Sequence, residues 1–255
     1  MRAVRMNLLW LAVGLACTPS QEAVRVQLEV ELDASTVDDS TNDLGWTVTL
    51  TAAKIAVKDL QFTIQGEMHD ATAWLEGWLI RRAWAHPGHY AGGDVTGELV
   101  GEFVLDWVGH DGMALGTGDL LTGDYNGINF TFRTAGEGDG LAGDDPLSGH
   151  TAYFAGVARK GGEEVAFTAA LDVNAGTQMV GAPFELSVDA DTKVKIGIQL
   201  EATDPVEDKS LFDGLDFMAL DDDGDGTVAI APGDEAHNIF VRTIQSHVHY
   251  NAEAH

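Results

Sequence analysis

The chain has 255 residues, with 41 acidic against 14 basic side chains, a formal charge of −27 at neutral pH, and one cysteine. Such a balance excludes a nucleic-acid partner, because phosphate binding needs a basic surface, and one cysteine excludes an internal disulfide framework. Dense carboxylate suits a solvated surface and attracts cations.

The chain opens MRAVRMNLLWLAVGLACTPSQ. Arg2 and Arg5 form a basic start, Met6 to Ala16 a short apolar run, and small residues Gly14 and Ala16 precede Cys17. Residues 1–16 read as an export signal, too short to span a membrane, which takes about 20 apolar residues. Cys17 stands where cleavage should fall, and the segment resembles the lipobox of bacterial lipoproteins. That resemblance implies lipidation of Cys17 and anchoring to the cell envelope. Thr18 in place of Asp points to the outer membrane. Gly14 replaces the Leu usual three residues before the cysteine, and ordinary signal cleavage after Ala16 is the alternative.

About 239 residues remain after residue 16 (255 − 16), enough for one large domain or two small ones. VRVQLEVEL (24–32) alternates apolar and polar strictly, as a half-buried strand does. With a polar loop to 45, it makes up the N-terminal stretch 17–45. WTVTLTAAKIAVKDLQFTIQG (46–66) reads as two further strands. Ala71, Trp74, Leu75, Trp78 and Leu79 recur at helical spacing, predicting a short helix over 70–84 that stops before Pro87. Alternation resumes at Leu99, Gly101, Phe103, Leu105 and Trp107. GINFTFRT (127–134) turns Ile128, Phe130 and Phe132 inward. Two hairpins are expected, over 151–173 with its turn at Lys160-Gly161-Gly162-Glu163, and over 183–202 with its turn at Ala190-Asp191. Residues 136–150 read as a flexible Gly-rich loop. Short strands between Gly and Asp turns, without alternating helices, predict a mainly β fold, an antiparallel sandwich or barrel with its body over 46–207. Residues 208–255 read as helix (208–220), acidic loop and helix (from 232), packed on that body.

The acidic loop DDDGDGTVAI starts at Asp221. Asp221, Asp223 and Asp225 take the first, third and fifth positions of an EF-hand-type loop. Gly226 takes the sixth, where the turn is sharp, and Thr227 offers its carbonyl at the seventh. Hard Ca²⁺ asks for closely spaced oxygen donors of this kind. The twelfth position, a bidentate Glu in EF-hands, is Pro232, so Asp234 or Glu235 would have to close the shell. A bound Ca²⁺ would serve as a structural staple for the C-terminal helix.

Histidines supply the other chemical signal. In His86-Pro87-Gly88-His89, proline and glycine suit the two central positions of a type II turn, which holds the flanking Cα atoms within about 7 Å. His247 and His249 share a side only on extended chain. With His69, these pairs could hold Zn²⁺ or Cu²⁺ in a thiol-free site. His110, His150 and His237 read as surface residues, and His255 as a frayed end.

The leader, GWTVTLTAAKIAVKDLQF (45–62) with the Trp/His-rich segment after it, and the C-terminal histidines together resemble periplasmic β-sandwich proteins that handle transition metals, such as the methanobactin-associated copper-binding protein. The multiple cysteines of that family have no counterpart here, and no residue role carries over. Three readings follow. One is a non-catalytic envelope lipoprotein that captures or delivers a transition metal, with a transporter or metal chaperone as partner. Another is a calcium-stabilised interaction module. The third is a zinc hydrolase, for which Glu67 or Asp70 beside His69 would have to act as base; no hydrolase elbow, P-loop or paired-carboxylate motif supports it.

Overall fold

The computed structural model describes residues 23–64 and 93–255. The expected helix at 70–84 and the residues His69, His86 and His89 lie outside the described residues.

The fold is mainly β, as the alternation predicts, and most strands join one mixed sheet. In chain order the strands are β1 (Arg25–Asp33), β2 (Ser40–Thr41), β3 (Thr47–Ile64), β4 (Asp94–Asp106), β5 (Ala114–Leu121), β6 (Gly123–Phe132), β7 (Ala152–Lys160), β8 (Glu163–Leu171), β9 (Gln178–Val188), β10 (Lys195–Leu200), β11 (Thr227–Ile230) and β12 (Tyr250–Ala254). Among the described residues there are also two α-helices, α1 (Phe217–Leu220) and α2 (Glu235–Ile244), and 3-10 turns at Glu137–Asp139 and His247–His249.

Strand pairing closes a ring, β3–β4–β5–β1–β10–β12–β9–β6 and back to β3, so the body is barrel-like. Beyond it, β7, β8 and β11 continue outward from β3 as a flange. Closure depends on β3, which sequence alternation divides into two strands but which runs unbroken for 18 residues. Its first half pairs with β7 (Thr47 to Ile55) and its second with β6 (Val57 to Thr63). Within the second half, register slips against β4 at Lys58/Leu60, where Asp59 takes φ 54°. Asp tolerates this left-handed conformation better than most residues, and its Oδ1 accepts the Gly101 N–H at 3.2 Å. A bulge of this kind bends its strand, and the edge passes from β7 to β6 between Ile55 and Val57.

Alternation places the core as read. Val26, Leu28, Val30 and Leu32 of β1 and Ile128, Phe130 and Phe132 of β6 are all buried. Each such side chain contributes about 1.5–3 kcal/mol of burial. Trp107 and Tyr250 sit among them with their polar ends satisfied, Trp107 Nε1 donating to the Ile198 carbonyl (2.8 Å) and the Tyr250 hydroxyl to Ile244 (2.6 Å). A second part of the core lies under the flange, where Phe240 of α2 packs on Phe154 (5.0 Å) and Phe212 (5.4 Å), and Phe217 on Phe167 (5.1 Å).

The β7–β8 hairpin forms as read, Lys160 opposite Glu163, with Gly161 and Gly162 at φ 60° and 96° in the turn. The second expected hairpin does not form. Its turn is present, but β9 and β10 are parted by β12, which pairs antiparallel with β10 and parallel with β9. Tyr250 and Ala252 face the core, so a five-residue C-terminal stretch too short to signal a strand on its own gains both a dry face and two backbone partners. The expected helix at 208–220 is reduced to α1. Gly214 at φ 82° interrupts it, and Asn42 Nδ2 takes the Phe212 and Leu215 carbonyls (3.1 and 2.8 Å) in place of helical N–H groups. The 136–150 loop is anchored, with Leu147 buried, Asp145 on Lys54 (2.7 Å) and Asp139 on Arg133.

Candidate metal centre

The acidic loop runs from the end of α1 into β11. Asp221 follows α1 directly, and two glycines with positive φ, Gly224 at 71° and Gly226 at 80°, fold the chain back. This curvature turns the three carboxylates inward. Asp221, Asp223 and Asp225 each present an oxygen within 4.8 Å of the others'. The backbone holds them there. Asp221 accepts the Asp225 and Gly226 N–H groups (3.1 and 3.0 Å), and Asp225 accepts the backbone N–H and hydroxyl of Thr227 (2.8 and 2.6 Å). The far end is fixed to the flange, since the Ala166 N–H of β8 donates to the Gly226 carbonyl at 2.9 Å and β11 pairs with β8.

Of the six residues read as calcium ligands, the structure thus brings together Asp221, Asp223 and Asp225, with Thr227 bonded at the edge of the group. It does not bring in the other two. Asp234 Oδ2 accepts the Ala231 N–H (2.9 Å) in the turn that starts α2, and Glu235 is an exposed residue of the first helical turn. The arrangement offers three carboxylate ligands without a bidentate closing group. Such a ligand set matches low-affinity calcium sites, with Kd of about 10⁻⁴–10⁻³ M.

The C-terminal histidines are placed differently from their reading. His247 and His249 occupy a 3-10 turn, where residues two apart point about 240° around the axis from each other, so they do not form a pair on one side. Both are buried. His249 Nδ1 bonds the Glu201 carbonyl at 3.0 Å, and burial pushes its imidazolium pKa down. His237, read as surface, is buried, with Nε2 accepting the Asp172 N–H at 3.1 Å. His150 is half-buried on Asp172 Oδ1 (2.8 Å), and His255 reaches Glu31 (3.1 Å) while its backbone pairs with Lys195. Among the described residues no histidine joins a cluster of three or more metal-ligating side chains.

Sequence reasoning missed a polar cleft of about 410 Å³ between β4 and the anchored loop. Lys54 lies at its floor with Asp145 at 2.7 Å and Asp106 at 4.0 Å, and Asp106 also takes His110 Nδ1 at 3.2 Å. These charges satisfy one another, and Lys54 holds the Asp145 carboxyl below the usual range against the opposing effect of burial. A lysine amid alanines in the middle of β3 was the available signal.

No family model matches the chain, and neither the curated proteins nor the solved structures contain a match to it.

Proposed function

We propose that this chain is a non-catalytic cell-envelope protein, anchored through lipidated Cys17, whose barrel carries a calcium staple at Asp221, Asp223 and Asp225. The observation that supports this reading is the convergence of the three carboxylates around a Gly226 turn fixed to β8. An ion there neutralises repulsion within the loop and ties the end of α1 to β11. The role assigned to the ion is mechanical. As an interaction module, the protein would present the barrel surface at the outer membrane, with the lipid as its membrane contact.

Elemental analysis of the purified protein, paired with thermal melts across a calcium titration, tests this. Calcium at 100 times its Kd stabilises by about 2.7 kcal/mol, several degrees for a chain of this size. The shift should vanish in Asp223→Ala. No calcium shift in the wild-type protein would retire the staple. Stoichiometric zinc or copper lost on His86→Ala/His89→Ala would instead establish the transition-metal reading.

A further inference from the structure

The polar cleft on the outer wall of the barrel opens where two strands part. β4 and β5 are neighbours in the ring, yet their described ladder is two pairs, Gly97–Leu120 and Glu98–Asp119. The connection between them is drawn off to β1, where the Gly112 N–H donates to the Leu32 carbonyl (3.0 Å) and the Leu32 N–H to the Met113 carbonyl (2.9 Å). The facing wall is the 139–145 loop, fixed by Arg133, whose guanidinium holds Asp139 and donates to the Phe103 carbonyl (3.2 Å). Both walls are pinned to the barrel. The space between them, about 410 Å³, falls within the range of about 300–1,000 Å³ usual for small-molecule sites.

Lys54 of β3 and Asp106 of β4 face each other in register across the floor. Their side chains are 20% and 8% exposed, and Lys54 Nζ stands 4.0 Å from Asp106 Oδ2, too far for a direct hydrogen bond. Among the described residues Lys54 makes one hydrogen bond, to Asp145 Oδ2 at 2.7 Å, and an ammonium has three N–H donors. Asp106 Oδ1 accepts the Gly109 N–H (2.8 Å), and His110 Nδ1 lies 3.2 Å from Oδ2. A hydroxyl oxygen about 2.8 Å from each group fits across the gap, accepting from Lys54 and donating to Asp106.

We propose that this cleft binds a neutral sugar residue. A hydroxyl both donates and accepts, so it bridges the ammonium and the carboxylate without breaking the Lys54–Asp145 or the Asp106–His110 contact. Charged ligands fare worse. An anion meets three carboxylates, Glu102, Asp106 and Asp145, with Lys54 already committed to one of them. A cation competes with Lys54 and His110 for carboxylates they already hold. The rest of the lining is largely apolar. Phe103, Val104, Met113, Leu115 and Leu141 are each partly buried and offer surface to the C–H face of a pyranose ring, which a smaller polyol lacks. Glu102, exposed on β4, adds an acceptor for a further ring hydroxyl. The site draws on neither the calcium triad nor the lipid anchor.

Amide shift titration of the full chain with methyl glycosides of the common neutral and N-acetylated pyranoses tests this. At least one should move the amides of 102–106 and 114–115 saturably, with a Kd of about 1 mM or tighter, and leave β8 unmoved. The amine and uronate counterparts of that sugar should bind more weakly than the neutral form. Ala114→Trp places a ring in the cleft from an exposed strand position, and should abolish the shifts without lowering Tm. Lys54→Met keeps the stem and removes the bridging donor. It should weaken binding about tenfold or more, as loss of a hydrogen bond to a charged group does. A disaccharide that binds more tightly than its terminal monosaccharide marks a glycan end as the ligand, and the reverse a free sugar; either upholds the site. No saturable response to any glycoside below about 10 mM, equal or tighter binding of a charged counterpart, or a response that survives Ala114→Trp would overturn the proposal.

Discussion

Two acidic groups in one chain face the same electrostatic problem in different surroundings. Asp221, Asp223 and Asp225 crowd together at the surface, where water screens them and a cation can enter. Asp204 lies just past the end of β10, 3% exposed, with one carboxylate oxygen accepting the Val206 N–H and the other buried without a hydrogen-bond partner. At ordinary protein-surface dielectric, like charges a few ångströms apart repel by a few kcal/mol, and burial raises that figure. The exposed group can meet it with a divalent ion; the buried oxygen of Asp204 is closed to one. Sequence spacing announces the remedy and is silent about the closure, because a carboxyl's burial is decided by strands far apart in the chain.

The largest effect should come from neither group. Phe240→Ala removes the ring that α2 sets between Phe154 and Phe212, and should cost about 3–5 kcal/mol in denaturant unfolding. Saturating calcium, at roughly 2.7 kcal/mol, should fail to restore it fully. A variant fully rescued by calcium would make the ion, rather than the aromatic packing, the main support of the C-terminal region. That would break the contrast between a stapled surface loop and a self-supporting core.

The next effect separates the two groups by charge alone. Asp204→Asn keeps an oxygen for the Val206 N–H and removes the buried charge. At pH 8 it should stabilise the protein by about 1–2 kcal/mol, with the calcium response untouched. Chemical unfolding at pH 8 and pH 5.5 checks this. A loss of stability at both values would show that the charge of Asp204 has a partner the fold relies on.

How much could be read beforehand follows the same division. Alternation within one strand identified the buried faces of β1 and β6 and the turn between β7 and β8, because a strand facing one core repeats every two residues. It divided β3 in two, since both its faces pack, one against the barrel interior and the other against loop and flange. It joined β9 to β10 because nothing local reveals that Tyr250–Ala254 will insert between them. Among site residues, Asp221, Asp223 and Asp225 were legible from spacing, as loop ligands only a few residues apart must be. The turn at His247–His249 was not. Its geometry is set by the Glu201 backbone, 48 residues earlier, and the burial that lowers the His249 pKa comes from tertiary packing.

The smallest effect is the sharpest test of the surface group. Without calcium, Asp223→Asn should change stability by no more than about 0.5 kcal/mol, as surface substitutions do, and in the stabilising direction, because it removes one of three crowded charges. The gain should fade on raising salt from 10 mM to 1 M, as the Debye length falls from about 30 Å to 3 Å. Asp204→Asn should keep most of its gain over the same range, because ions do not reach a buried carboxylate. Paired melts of the two variants across that salt series measure the difference. If both gains fade alike, the Asp204 carboxylate is open to solvent. If neither fades, Asp223 is stabilised by its loop bonds rather than strained by its neighbours, and the triad has no repulsion for a cation to relieve.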